Sequence, residues 1–307
     1  MSAHEIAEHL GEHGCQNITD ILDLESFSTF PLSSGGFGDV YRGKLINATP
    51  VAVKTMRLQI SPTETGQKSL KYAARELHIW SKCQHPNVLP LLGLVVFRGQ
   101  IGMVSLWLEH GSLPSYIGQK EDFDRCKLST EIADGLAYLH GIGIVSNDNY
   151  VLEWKVLDTC RCQVHGDLKG LNVLISDDGV PMLTDFGNAV LQDCTLNFTT
   201  TTQKNSLSPR WAAPELLDER EGTYSLAADV YALGMTILET FTGQVPYFGK
   251  SEFGVLSAVT IRKELPPRPQ EYIPSDSQQG DMLWLLLKIC WANNPDDRPD
   301  SSEIAET

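Results

Sequence analysis

The spacing of apolar residues predicts strands in the first third of the chain and helices in most of the rest. A glycine-rich turn at 35–38 lies between two short apolar runs, and the sequence VAVK at 51–54 has the composition of a buried strand. Two further strands are predicted at 91–96 and 101–108. Residues 67–82 instead place their apolar side chains on one side of a helix. The first third is therefore predicted to form a small sheet with one main helix.

Helical spacing dominates from residue 125 onward. One apolar stripe repeats at intervals of three and four residues and is formed by Leu128, Ile132, Leu136 and Leu139. Two more apolar helices are predicted at 227–241 and 281–291. A strand-rich portion followed by a larger helix-rich portion predicts an α+β fold with two unequal lobes.

Residues 1–26 precede these elements and are interpreted as a flanking extension. Their apolar residues Ile18, Ile21 and Leu22 have helix-like spacing. The N-terminal sequence MSAHEIAEHLGEHG is polar and acidic, so it does not resemble a signal peptide. The longest apolar runs are too short to span a bilayer, and we expect no membrane insertion.

Composition narrows the possible functions. The 307 residues include 24 Lys and Arg and 39 Asp and Glu, so the formal net charge is 24 − 39 = −15. This acidity argues against nucleic acid as a partner, because phosphate neutralisation needs a basic surface. Seven cysteines, an odd number in a long chain, argue against a disulfide framework. We therefore expect a reducing, cytoplasmic location.

Six short motifs follow the order of these elements. They are the glycine turn with Ser33, Gly35 and Gly38, Lys54 at the end of VAVK, Glu76 on the predicted helix, VHGDLKGLNVLI at 164–175, LTDFGNA at 183–189 and SPRWAAPE at 208–215. This order resembles the signature set of eukaryotic protein kinases, and the chain looks closest to the tyrosine-kinase-like group of serine/threonine kinases. The resemblance extends from about residue 27 to the end. It implies a bilobal fold with ATP in the cleft between the lobes.

The resemblance also implies catalytic roles for individual residues. Asp167 would orient the substrate hydroxyl, and Lys169 would neutralise the transferring phosphate. Asn172 and Asp185 match the two Mg²⁺ ligands, and hard oxygen donors suit that ion. The remaining catalytic residues are Lys54, which would hold the ATP phosphates, and its carboxylate partner Glu76.

The nucleotide-binding positions follow from the same resemblance. Ser105 falls at the gatekeeper position, and 106–108 form the expected hinge. Ser33 replaces the first glycine of the family pattern, although serine is small and Gly36 adds freedom nearby. The full set of predicted ATP-binding residues is Leu32, Ser33, Gly35, Gly36, Gly38, Val40, Ala52, Lys54, Ser105, Leu106, Leu108 and Leu174.

Other matches imply structural roles. His165 and Phe186 resemble members of an internal hydrophobic spine, and Asp229 resembles the helix aspartate that braces the catalytic loop. Glu215 and Arg298 resemble a buried ion pair. Gly166 stands where many kinases carry arginine, which weakens the case for activation by loop phosphorylation, although Thr199 to Thr202 and Ser206 remain candidate acceptors.

The domain boundaries include one anomaly. The kinase domain is predicted at 27–307, with an N-lobe at about 27–105, a hinge at 106–108 and a C-lobe at 109–307. Residues 145–163 add 19 residues where the family has almost none. They are either a surface-loop insertion, tolerated at small entropic cost, or a translated intron, since Val-Ser and Gln can be encoded by splice-like sequences. The final helix is expected to be truncated at Thr307.

The leading functional prediction is ATP- and Mg²⁺-dependent phosphorylation of serine or threonine in protein substrates. Two alternatives remain open. One is a pseudokinase that binds nucleotide or acts as a scaffold, because the insertion could displace Asp167. The other is tyrosine or dual specificity, towards which Pro209-Arg210-Trp211 leans. The sequence does not indicate the oligomeric state.

Overall fold

The computed structural model describes residues 7–8, 11, 15–35, 38–56, 77, 80–120, 122–142, 164–185, 207–217 and 224–307. Its contacts divide the described residues into two units, the first up to Glu109 and the second from His110 onward. Strands dominate the first unit and helices dominate the second, so the predicted α+β class is confirmed.

The first unit is built on one antiparallel sheet. Its strands are β1 (Leu22–Asp23), β2 (Ser33–Gly35), β3 (Gly38–Leu45), β4 (Pro50–Met56), β5 (Leu91–Phe97) and β6 (Gln100–Leu106). The order across the sheet is β1-β3-β4-β6-β5, and β2 pairs with the other half of the β3 edge. Alternation along β4 buries Val51 and Val53 completely, as expected for a strand with one face on a core. The three strands predicted at 51–54, 91–96 and 101–108 are present.

Residues 15–26, before β2, form part of this core and contain 3₁₀ turns and a strand rather than an α-helix. Thr19–Ile21 is a short 3₁₀ turn that leads directly into β1. The spacing of its apolar residues resembled a helix because Ile18 and Leu22 both point inward, where they join the buried cluster of Val53, Val95 and Val104. Residues 15–26 therefore pack as part of the first unit.

The same segment covers both outer strands of the sheet. β1 pairs with the end of β3, and the N–H of Ile18 donates to the carbonyl of Leu94 on β5 at 2.8 Å. The N–H of Leu94 returns a bond to the carbonyl of Gln16, also at 2.8 Å. A Cβ at Gly93 would lie 2.5 Å from that carbonyl oxygen, so the close approach requires glycine. Both edges are thus hydrogen-bonded along part of their length.

The second unit is mainly helical. Its helices are α1 (Leu113–Gln119), α2 (Arg125–Gly141), α3 (Pro214–Leu217), α4 (Leu226–Thr242), α5 (Glu252–Leu256), α6 (Gln278–Cys290) and α7 (Ser301–Ala305). A π-helical turn (Ser257–Ile261), 3₁₀ turns (Gly170–Asn172, Pro295–Asp297) and the hairpin of β7 (Val173–Ile175) and β8 (Pro181–Leu183) complete it.

Local sequence explains where the long helices begin and end. The side chain of Asp124 accepts from the N–H of Lys127 at the start of α2, and Ser225 caps α4 in the same way. Gly243 ends α4 with a φ of 66°, which is the left-handed region that favours glycine. The predicted stripe of α2 is buried, and the helices predicted at 227–241 and 281–291 are present as α4 and α6.

Several predictions lie outside the described residues. They concern Gly36, Glu76, Phe186, the insertion at 145–163, the threonines at 199–202 and Ser206. No helix within the described ranges is both long and apolar enough to cross a membrane.

Candidate active site

The centre of the candidate site is a set of hydrogen bonds around Asp167. The ammonium of Lys169 lies 2.7 Å from Asp167 Oδ2 and 2.8 Å from Ser208 Oγ. The Ser208 hydroxyl donates to Asp167 Oδ1 at 2.9 Å. A carboxylate, an ammonium and a hydroxyl thus form a closed triangle of charge-assisted hydrogen bonds. The structure brings together two residues from the motif at 164–175 and one from the motif at 208–215.

Asn172 completes this cluster and is the first predicted metal ligand. Its Nδ2 donates to the carbonyl of Asp167 at 2.7 Å and to Asp167 Oδ2 at 3.1 Å. Because both bonds use the amide nitrogen, the Oδ1 atom faces away from Asp167 and is the atom that can ligate a cation.

Asp185, the second predicted ligand, follows β8 close to Asn172. The N–H of Thr184 donates to the carbonyl of Asn172 at 3.0 Å, which joins the two segments one residue before Asp185. Asp185 has a φ of 60°, a left-handed conformation that costs a non-glycine residue about 1 kcal/mol or more. Such strain concentrates at functional sites, and here it falls on a predicted ligand.

Asp229 on α4 holds the backbone of the loop that carries Asp167. Its carboxylate accepts from the N–H of His165 at 2.6 Å and from the N–H of Gly166 at 2.9 Å. Gly166 has a φ of 80°, so glycine suits the conformation that this bracing imposes. His165 is fully buried, and burial lowers the pKa of its imidazole despite the nearby carboxylates of Asp229 and Asp167.

Glu239, also on α4, is a site residue that the sequence interpretation missed. Its Oε2 accepts from the N–H of Gly170 at 2.9 Å and from Trp211 Nε1 at 3.0 Å. Burial raises the pKa of this carboxyl to about 7, and the two donors together with Lys169 only partly offset that rise. The signal was present in the sequence: Glu239 is an acidic residue on an otherwise apolar stretch of helix, and such a group needs partners.

The predicted ion pair between Glu215 and Arg298 is formed. The two guanidinium nitrogens of Arg298 donate to the two carboxylate oxygens of Glu215 at 2.6 and 2.8 Å, a bidentate arrangement. The Arg298 side chain is completely buried and also bonds the carbonyls of Ala227 and Ala292. This pair joins α3 to the start of α4 and to the turn before α7.

In the first unit, four of the predicted nucleotide-binding residues share the face of the sheet opposite its core. Val40 pairs with Lys54, and Ala52 pairs with Ser105, so alternation places these four side chains on one face. Ser105 is buried, and the other three are partly exposed.

The remaining predicted residues are spread more widely. Leu32 is 57% exposed just before β2, where Ser33 begins the strand and Gly35 pairs with Gly38. Leu106 ends β6, Leu108 follows it, and Leu174 lies in β7 of the second unit. Gly36 and Glu76 lie outside the described residues, so the pairing of Lys54 with Glu76 stays a prediction.

Comparison with known sequences agrees with this arrangement. The sequence model of the family described as protein tyrosine and serine/threonine kinase matches residues 29–149 and 155–307. The match covers most of the chain, and the chain therefore belongs to this protein kinase family. The family model leaves residues 150–154 unmatched, and this gap lies within the predicted insertion at 145–163.

Individual relatives differ in the acceptor specificity that their names state. The chain is 28% identical to the serine/threonine/tyrosine-protein kinase HT1 of Arabidopsis thaliana over 89% of its own length and 63% of that kinase. It is 30% identical to the dual specificity protein kinase shkD of Dictyostelium discoideum over 93% of its length and 34% of the relative. It is 27% identical to the human tyrosine-protein kinase FRK, with 87% and 47% covered. The chain thus spans less than two thirds of each relative.

Proposed function

We propose that this chain is an ATP- and Mg²⁺-dependent kinase that phosphorylates serine and threonine in protein substrates. The observation that carries the proposal is the triangle of Asp167, Lys169 and Ser208. A lysine two residues after the catalytic aspartate is the serine/threonine-kinase feature of the resemblance, and here its ammonium contacts both other members.

The triangle suits phosphoryl transfer to a small hydroxyl. The acceptor oxygen would bond to the γ-phosphorus of ATP while the bond from that phosphorus to the bridging oxygen of ADP breaks. The hydroxyl proton would pass to Asp167, and the charge on the transferring phosphate would face the ammonium of Lys169. Asp229 and Glu239 would hold the loop still, so that little reorganisation accompanies the reaction.

The residues present fit Mg²⁺ bound together with ATP. Mg²⁺ is usually held by one or two protein oxygens plus phosphate oxygens, and Asn172 Oδ1 and the Asp185 carboxylate would supply the protein oxygens. Among the described residues there is no group of three or more His, Cys, Asp or Glu that could hold a metal alone. When bound, the ion would neutralise phosphate charge.

The proposal also includes the cellular location of the reaction and the kind of substrate. The four described cysteines, Cys15, Cys83, Cys126 and Cys290, are free thiols, which supports a reducing cytoplasmic location. The net charge of −15 favours substrates with basic residues around the acceptor.

Dual specificity is a second candidate function. The relatives HT1 and shkD carry that description in their names, and the segment of Pro209, Arg210 and Trp211 resembles tyrosine kinases. Arg210 donates to the carbonyls of Pro246 and Tyr247, so the segment is firmly held and its shape would influence which acceptor fits.

A radiolabelled-ATP assay tests the activity. Three proteins would be compared with Mg²⁺ and a basic peptide library: the full chain, the chain lacking 145–163, and Asp185→Asn. Asp178→Asn, in the exposed turn between β7 and β8, is the matched control. We expect label transfer by at least one of the first two and by the control. Asp185→Asn should lower it by about 100-fold or more. Transfer by none of the proteins would favour the pseudokinase, and equal transfer by Asp185→Asn would exclude the proposed metal role.

A further inference from the structure

A buried chain of hydrogen bonds links the last helix, α7, to the catalytic loop. Ser301 Oγ lies 2.8 Å from His140 Nδ1, and His140 Nε2 lies 3.0 Å from Asp229 Oδ2. The same carboxylate accepts from the N–H groups of His165 and Gly166. His140 and Ser301, two residues outside the motifs, are therefore connected by hydrogen bonds to Asp229, the residue that braces the loop.

The chemistry of the groups fixes the direction of these bonds. An ionised carboxylate can only accept, so His140 Nε2 carries the proton that it donates to Asp229. In the neutral imidazole, Nδ1 is then the acceptor and the hydroxyl of Ser301 is the donor. Asp229 thus fixes the tautomer of His140, and the Ser301 hydroxyl supplies the donor that the other ring nitrogen of this tautomer needs.

The burial of Ser301 indicates that its hydroxyl needs a hydrogen-bond partner. The side chain is 4% exposed on the face of α7 that packs against α2, where Ile304 is also buried. A hydroxyl on such a face is costly unless it is hydrogen-bonded. The neighbouring Ser302 is exposed on the same helix, so α7 contains both a buried and a solvent-facing serine.

Removing the Ser301 hydroxyl would leave a buried imidazole nitrogen without its donor. The ring could then turn or change tautomer, and Asp229 would lose a hydrogen bond at Oδ2, the oxygen that also accepts from the N–H of His165. The two loop amides share that carboxylate, so its position determines theirs.

We propose that Ser301 and His140 are positioning residues for catalysis, because they hold Asp229 and through it the backbone N–H groups of His165 and Gly166. This inference rests on the proposed kinase function. Neither residue touches substrate, and both act through Asp229. The last helix thereby contributes to the geometry of the loop that carries Asp167.

The first test measures the loop directly and needs no activity. Amide hydrogen exchange of His165 and Gly166 would be followed in the full chain, in Ser301→Ala and in Ser302→Ala. Exchange should accelerate by about tenfold in Ser301→Ala, the change expected for loss of one net hydrogen bond, and stay unchanged in Ser302→Ala. Equal exchange in the two variants would overturn the inference, even if the chain proved inactive.

The second test uses turnover and a double-mutant cycle. Ser301→Ala should lower kcat by about tenfold and leave both KM values within about twofold, because only positioning changes. Ser301→Thr, which keeps the hydroxyl, should restore most of kcat. In a His140→Phe background, Ser301→Ala should have no further effect on kcat. Additive losses, or no rescue by threonine, would mean that Ser301 acts by general packing and would contradict the proposed route through His140.

Discussion

The carboxyl group of Glu239 makes the stability of the second unit depend on pH in an unusual direction. The side chain is 3% exposed in α4, and burial is the largest cause of its raised pKa. Glu239→Gln is the informative perturbation. Glutamine has nearly the same shape, its amide oxygen can accept from Gly170 and Trp211 as Oε2 does, and it does not titrate in this range.

The magnitude follows from the pKa difference between folded and unfolded chain. The pKa is about 7 in the folded chain against an ordinary value of 4.5, and the difference is 7 − 4.5 = 2.5. At 1.36 kcal/mol per unit this corresponds to about 3 kcal/mol. Between pH 4.5 and 7 the folded state binds more protons than the unfolded state, so this contribution to stability decreases as pH rises. It is fully present below pH 4.5 and is lost above pH 7.

Urea unfolding at pH 4.5, 6 and 7.5 would measure the effect. The free energy of unfolding of the parent chain minus that of Glu239→Gln should fall by about 3 kcal/mol across this range. Subtracting the variant removes the contributions of other titrating groups. Glu252→Gln, exposed at the start of α5, is the control and should show a constant difference. A constant difference for Glu239→Gln as well would refute the assignment of a buried, proton-binding carboxyl.

Three further substitutions test packing and bracing. Arg298→Lys loses the bidentate pair in a fully buried position, and urea unfolding should show a loss of about 3 kcal/mol. Ile18→Ala should destabilise the chain by about 2–4 kcal/mol because Ile18 is buried in the sheet core. Gly170→Ala would place its Cβ 2.7 Å from the Glu239 carboxyl carbon, so kcat should fall by about tenfold or more.

Each of these substitutions has a matched control at another residue of the same type. Ile21→Ala, at a side chain that is 45% exposed, should change stability by about 0.5 kcal/mol or less. Gly118→Ala in α1 meets no atom within 4 Å and should leave kcat unchanged. Arg262→Lys, at an exposed pair with Glu264, should be nearly neutral. If a control lost as much as its partner, the structural reason given for that partner would be wrong.

The parts of the fold that depend on local pattern could be predicted from the sequence. The stripe of α2 and the apolar runs of β4, α4 and α6 repeat with the period of their element, and each element is present. The cluster around Asp167 could also be anticipated, because the kinase resemblance implied roles for Asp167, Lys169 and Asn172, which lie within six residues of one another. Such residues approach each other through short-range backbone geometry.

The remainder depends on long-range packing that no local pattern encodes. Ser301 and His140 are separated by 161 positions, and Glu239 and Gly170 by 69. The helix-like spacing of Ile18 and Leu22 was misleading because a short turn followed by a strand can bury the same two positions. A helix and a turn followed by a strand can be distinguished here only by the pairing of this segment with the edges of β3 and β5, which is a long-range contact.

The central claim is that Asp167, Lys169 and Ser208 transfer phosphate to aliphatic hydroxyls, and phosphoamino-acid analysis tests it most directly. Matched peptides with serine, threonine or tyrosine as the only acceptor would be labelled from radioactive ATP by the chain with and without 145–163. The account predicts phosphoserine and phosphothreonine, and a loss of about tenfold or more in Ser208→Ala. Phosphotyrosine as the main product, or labelling of serine that Ser208→Ala and Lys169→Ala leave unchanged, would contradict it.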